Sequence, residues 1–143
     1  MEFTNQFKVP ASEIKARTLK VQQELQQTDL DGLFIVQRVD LFYFSGTAQN
    51  GFMYIPAEGE PLLFIKQYFP RAQKESSLAN IVKIDSVKEI PVGIIDYYGH
   101  MPDVLGFELD VVPVNDFDFY RSLFKIKKYV DGSPYILKVR RIK

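Results

Sequence analysis

Between residues 11 and 27, Ile14, Thr18, Val21 and Leu25 recur at i, i+4, i+7 and i+11, with Lys15, Lys20, Gln23 and Glu24 turned the other way. That spacing predicts a helix with a narrow buried stripe, and Pro10 stands where a first helical turn tolerates it. A polar turn over 28–32 leads into Gly32-Leu33-Phe34-Ile35-Val36. A short apolar run without alternation suits a strand buried on both faces of an α/β sheet. The aromatic-rich stretch 39–44 ends at Ser45-Gly46, where the chain must turn and Gly46 supplies the positive φ. Residues 52–56 and 61–66 read as two strands joined by Ala57-Glu58-Gly59-Glu60, a β-hairpin.

Residues 68–78 carry a weak helical stripe with Pro70 in the first turn, and 80–84 read as a strand. Residues 86–98 are mixed, with a short helix expected after Pro91. Two strand-like pieces follow at 104–109 and 111–114. A helix is expected over 115–124, capped by Asn115 and favoured by Asp116 and Asp118 in its first turn. Residues 127–130 form a short extended segment. Asp131-Gly132-Ser133-Pro134 then signals a helix start, with Ile136, Val139 and Ile142 as its apolar positions. No Gly, Asn or Pro ends that helix before Lys143, so it reads as one cut short. No repeat, linker or low-complexity stretch divides the chain, and one domain over 1–143 is expected.

Composition narrows the chemistry. With 46% hydrophobic and 25% charged residues in 143, the chain is of globular type and can bury roughly 68–70% of its extended surface without a disulfide or metal. It has no cysteine, and its one histidine, His100, sits on an apparent loop. A thiolate site, a zinc site and a Ser/His/Asp set are therefore out of reach, and no phosphate-binding glycine loop is present. No apolar run approaches the ~18 residues of a membrane span, and the first ten residues lack a signal-peptide pattern. Cytoplasm is the expected location.

Net charge is zero but unevenly spread. Residues 121–143 hold eight basic groups against one acid, and residues 1–120 hold ten against seventeen. A basic tail can bind nucleic acid, but no aromatic stacking platform is interleaved here. The tail is expected to dock on an acidic surface of its own chain or of a neighbour. Neither nucleic acid nor membrane is expected as a partner.

Four stretches, in order, resemble one family. Arg17 and Leu25 lie in the first helix, followed by Leu30-Asp31-Gly32-Leu33-Phe34-Ile35 as first strand. Tyr43-Phe44-Ser45-Gly46 is similar to a Y-[LFY]-[ST]-G turn. Gly106-Phe107-Glu108 is similar to a late G-x-E strand, and Arg140-Arg141-Ile142-Lys143 to an R-x-[IV]-K helix. Together they resemble the N-terminal domain of the creatinase/prolidase/Xaa-Pro aminopeptidase family over about residues 13–143.

The resemblance implies an α/β fold, a mixed sheet between helix layers with ribonuclease-H-like topology. It implies a non-catalytic domain joined to a following "pita-bread" catalytic domain. That domain would hold two divalent metals of manganese or cobalt type through two Asp, one His and two Glu, none of which can be placed on this chain. The 143 residues alone are expected to be inactive and to carry no cofactor. In such relatives the N-terminal domain builds a homodimer and lends a wall to the partner subunit's substrate pocket. By position after the Y-x-[ST]-G turn, Phe52 and Asn50 are the candidates for that wall. Phe52 is equally placed to be a core residue of its own strand. Arg38 and Asp40 border the same region, at the end of the first strand where α/β folds hold ligands, or form a surface ion pair. Tyr43 reads as packing.

Two other classes are open. One is a stand-alone domain of this fold that binds peptides or proteins. The other is a two-metal nuclease, for which Glu108 and Asp110 would share one strand face, although 32–36 adds no acid at the sheet centre.

Overall fold

The computed structural model describes residues 8–141. The first stripe forms α1 (Ala11–Gln26), which buries Ile14, Thr18, Val21 and Leu25 together with Gln22. The apolar run forms β1 (Gly32–Ile35), buried at every position. The aromatic stretch is α2 (Arg38–Ser45), closed by Gly46 in the left-handed region at φ 84°. The hairpin is β2 (Gly51–Pro56) and β3 (Leu62–Ile65). Then come α3 (Phe69–Glu75), β4 (Ile81–Lys83), α4 (Glu89–Tyr98), β5 (Val104–Phe107), α5 (Val114–Phe124), β6 (Lys128–Asp131) and α6 (Ser133–Arg141).

The strands make one sheet in the order β4-β3-β2-β1-β5-β6. β1 and β2, and β2 and β3, run antiparallel; β3–β4, β1–β5 and β5–β6 run parallel. This is the mixed sheet between helix layers that the family resemblance implied. Why β1 shows no alternation is now plain. Leu33 and Ile35 pack with Val21, Leu41, Phe44, Ile136 and Val139 from α1, α2 and α6. Phe34 points the other way, among Phe64, Ile90, Ile94, Phe107 and Phe124 beneath α4 and α5. On that second face Phe34 stacks on Phe52 at 5.9 Å and meets Phe124 edge-on at 4.9 Å, the geometries aromatic quadrupoles favour.

Three expectations fail locally. Residues 111–114 form no strand: Val111 and Val112 donate their N–H groups to Glu108 O in a turn, and Val114 already opens α5. Alternation of apolar residues there is outweighed by Pro113, which suits the residue before a helix. Consequently Pro113, not Asn115, stands at the cap position, and Asn115 lies inside α5. Glu108 and Asp110 do not share a strand face, because β5 ends at Phe107 and Asp110 sits in the turn, bonded to Ser133.

Four residues of the basic C-terminal stretch meet acids of the same chain. Lys138 reaches Glu24 at 3.0 Å, Arg140 reaches Asp40 at 2.7 Å, and Lys127 and Lys128 reach Asp103 and Asp29 at 3.7 Å. Asp131 accepts the Ser133 N–H at the start of α6, as its polar lead-in required. Ile136 and Val139 are buried, whereas Ile142 and Lys143 lie outside the described residues.

Candidate functional site

Parallel strands β1 and β5 end side by side, and both chains turn there. Gln37 follows β1, and its side chain accepts the Asp40 N–H at 2.8 Å to start α2. The exposed N–H groups of Val36 and Gln37 are taken by Glu108, directly after β5: its Oε1 accepts both, at 2.6 and 2.9 Å. Glu108 is 1% exposed. Its Oε2 has no hydrogen-bond partner among the described residues. Beside it lies Asp40, also buried, whose Oδ1 accepts from Arg140 Nη1 of α6 at 2.7 Å.

Burial pushes the Glu108 pKa well above the usual carboxylate range, and the adjacent Asp40 pushes it the same way. The Gln37 and Val36 amides pull it down without offsetting these. Two ionised carboxylates would leave Oε2 facing a like charge; a proton on Glu108 converts that contact into an O–H···O bond. Glu108, whose raised pKa favours the protonated form, thus stands in series with Asp40 and Arg140, tying β5, α2 and α6 together.

Next to this series lies the connection from α2 to β2. Glu75, at the end of α3, accepts from the Thr47 hydroxyl at 2.7 Å and from the Ala48 N–H at 3.3 Å, with Gln49 Nε2 at 3.4 Å. From the other side Arg38 Nη2 donates to Ala48 O at 2.7 Å. Burial alone would raise the Glu75 pKa, but the bonds from Thr47, Gln49 and Ala48, with Arg71 nearby, outweigh it and hold the carboxyl below its ordinary value.

The four candidate residues gather at this end of the sheet but do not form one cluster. Arg38 and Asp40 are not an ion pair with each other: Arg38 is exposed and clamps Ala48, and Asp40 belongs to Arg140. Asn50 is exposed in the bend before β2. Phe52 is half-buried and points to the opposite sheet face, stacked on Phe34. Tyr43 packs edge-on against Phe44 and lies beneath the Arg17 guanidinium, 4.3 Å from its ring centre.

In the sequence Glu108 reads as part of a G-x-E motif and as a candidate acid beside Asp110, and Arg140 as part of an R-x-[IV]-K motif. Their pairing through Asp40 had one local signal, the pleat. Phe107 faces the aromatic layer, so the next residue is turned toward the other core, and an acid placed there must find a partner.

These residues do not suit a metal. Oε1 of Glu108 is occupied by two amides, Asp40 faces a guanidinium, and among the described residues no three His, Cys, Asp or Glu side chains come together as ligands. What the edge offers is a braced scaffold, a six-stranded mixed sheet whose strand ends are tied to the helices beside them.

That scaffold defines the class, and comparison with known proteins gives the family. Residues 17–142 match the Creatinase/Prolidase N-terminal domain, and the chain belongs to that family. It is 32% identical over 78 residues to the Xaa-Pro dipeptidase of Pyrococcus furiosus, a match covering 54% of this chain and 22% of that protein. In structure it resembles the prolidase of Pyrococcus horikoshii OT3 (TM-score 0.76, 19% identity), covering 90% of this chain and 35% of that one. It resembles equally the N-terminal domain of the cytoplasmic peptidase PepQ from Mycobacterium tuberculosis H37Rv (TM-score 0.76, 22% identity), covering 87% and 98%. The chain therefore spans about a third or less of the full-length relatives and nearly all of a separately solved N-terminal domain. Among the described residues no helix is long and apolar enough to cross a membrane.

Proposed function

We propose that this chain is the non-catalytic N-terminal domain of a Xaa-Pro dipeptidase- or aminopeptidase-like metallohydrolase. In this reading it builds a homodimer and, through residues 47–52, walls the substrate pocket of the partner subunit. The supporting observation is the bracing of that connection by Glu75 on one side and Arg38 on the other. A pocket wall works only if it is held in place before substrate arrives. Asn50 is exposed in the bend before β2, and the Phe52 ring is half-buried. The two divalent metals of manganese or cobalt type belong to a following catalytic domain and not to these residues. A cytoplasmic location fits the PepQ relative.

Mixed dimers of the full-length protein test this reading. One subunit carries an inactive catalytic domain and the other an active one, and Phe52→Ala is placed on either. Substitution on the inactive subunit is expected to raise KM for an Xaa-Pro dipeptide several-fold, and on the active subunit to leave it unchanged. An effect confined to the active subunit, or none in either arrangement, would overturn the reading.

A further inference from the structure

At the opposite end of the sheet, where β1 and β5 begin, lies an open groove of about 450 Å³. Asp31 stands on its wall. Its Oδ2 accepts the Asp103 and Val104 N–H groups at 3.1 and 2.9 Å, leaving Oδ1 without a hydrogen bond among the described residues. Glu58 and Asp103 add two further carboxylates to the lining, and the ring of Tyr98 a fourth side. Lys127 reaches Asp103 at 3.7 Å but is itself exposed, so an excess of negative charge remains.

Acids alone would be a solvated rim. The second feature is Tyr54 of β2, which also lines the groove yet is only 4% exposed. Its ring is buried, while its hydroxyl makes no hydrogen bond among the described residues and opens into the groove, where a ligand can reach it. By contrast the neighbouring Tyr98 hydroxyl, its ring edge-on to Tyr54 at 5.3 Å, donates to Glu60 O. The Tyr54 hydroxyl sits over Gly32, where a Cβ would stand 2.6 Å away. A side chain at position 32 would therefore displace it. Burial first, and then the Asp31 carboxylate, push the phenol's pKa up. It keeps its proton, and its oxygen remains free to accept.

A ligand that satisfies this arrangement donates N–H to the Tyr54 oxygen while setting positive charge against Asp31 and Glu58. Anions are repelled by the three carboxylates, and a neutral amide gains no charge interaction. An alkyl stem or a planar cation gains further from the aromatic walls. We propose that this groove binds an alkylguanidinium or alkylammonium cation, carried by an arginine or lysine side chain or by a small free amine.

The probes are n-butylguanidinium, its uncharged near-isostere n-butylurea, and the blocked peptide acetyl-Gly-Arg-Gly-amide. Each is titrated into the ¹⁵N-labelled chain and followed at the Gly32, Tyr54, Tyr98 and His100 amides. The charged probes are expected to give saturable shifts there, weakened by salt, and butylurea none. Tyr54→Phe should bind the cation about tenfold more weakly while its ligand-free unfolding temperature stays the same or rises, since the hydroxyl it loses has no partner. Glu58→Gln, an exposed change that leaves the fold alone, should weaken binding several-fold. Tighter binding of the peptide supports a polypeptide source, and tighter binding of butylguanidinium a free amine. Equal response to butylurea, no saturation, or affinity unchanged in both variants would overturn the proposal.

Discussion

Arg140 of α6 and Asp40 of α2, a hundred residues apart in sequence, meet at 2.7 Å. Neither is a simple surface charge: their side chains are 33% and 11% exposed. Because Asp40 also adjoins Glu108, the pair does more than join two helices. It sets the charge seen by the acid that holds the ends of β1 and β5 together.

Arg140→Met should therefore cost more than an exposed ion pair would. The change leaves Asp40 largely buried beside another carboxyl, and a loss of about 1–3 kcal/mol is expected. Adding Asp40→Asn should restore part of it, giving a coupling in a double-mutant cycle measured by urea unfolding. Strictly additive losses would show that the two side chains do not depend on each other.

Glu108 makes stability fall as pH rises. Its pKa is raised in the folded protein, so between the ordinary carboxylate value and that raised value the folded state binds more protons than the unfolded. The Glu108 contribution is complete below the unfolded pKa and is lost on the way up. Glu108→Gln keeps an oxygen for Val36 and Gln37 and offers an amide to Asp40, but cannot ionise. Urea midpoints at pH 5, 6.5 and 8 should decline in the parent and stay flatter in the variant, which becomes the more stable of the two at pH 8. Parallel profiles would contradict a protonated Glu108.

Glu75 has the opposite sign. Its lowered pKa gives stability that is present above the unfolded carboxylate value and lost as pH falls through the folded one. The side chain is 25% exposed, so Glu75→Ala should cost no more than about 1 kcal/mol. The larger effect is local. Amide hydrogen exchange at Ala48 and Gln49 should speed up markedly while that of β1 is unchanged.

Gly51, where β2 begins, is a matter of space. An added Cβ would stand 2.5 Å from the Phe64 carbonyl oxygen and 2.7 Å from Ile65 Cδ1. The first is backbone in the neighbouring strand and cannot rotate away. Gly51→Ala should cost about 1–3 kcal/mol and displace Phe52 from Phe34, visible as altered aromatic shifts in NMR spectra. An unperturbed Phe34 signal would show that the strands part without disturbing the aromatic layer.

Much of the architecture was legible because it is set by local pattern. The stripe Ile14–Thr18–Val21–Leu25, the unbroken run at β1, the hairpin turn at Gly59 and the lead-in Asp131-Gly132-Ser133-Pro134 each encode their element within a few residues. At 111–114 the strand preference of Val111, Val112 and Val114 is outweighed by Pro113, which stands before α5. The site was less legible for a different reason. In the sequence Asp40 reads as a loop residue bordering a ligand region or as half of a surface ion pair with Arg38, and only the sheet order brings Glu108 and Arg140 to it. The Glu75 clamp on Thr47 likewise spans elements whose adjacency no periodicity encodes.

The first and last described helices share one interface. Ile136 and Val139 of α6 pack in the same core as Val21 and Leu25 of α1, and Lys138 bonds to Glu24 across the seam. Loosening α6 by a turn uncovers the apolar stripe of α1, and loosening α1 takes away the floor on which α6 lies. The two helices are therefore expected to open as one unit, whereas α4 packs on the opposite face of the sheet.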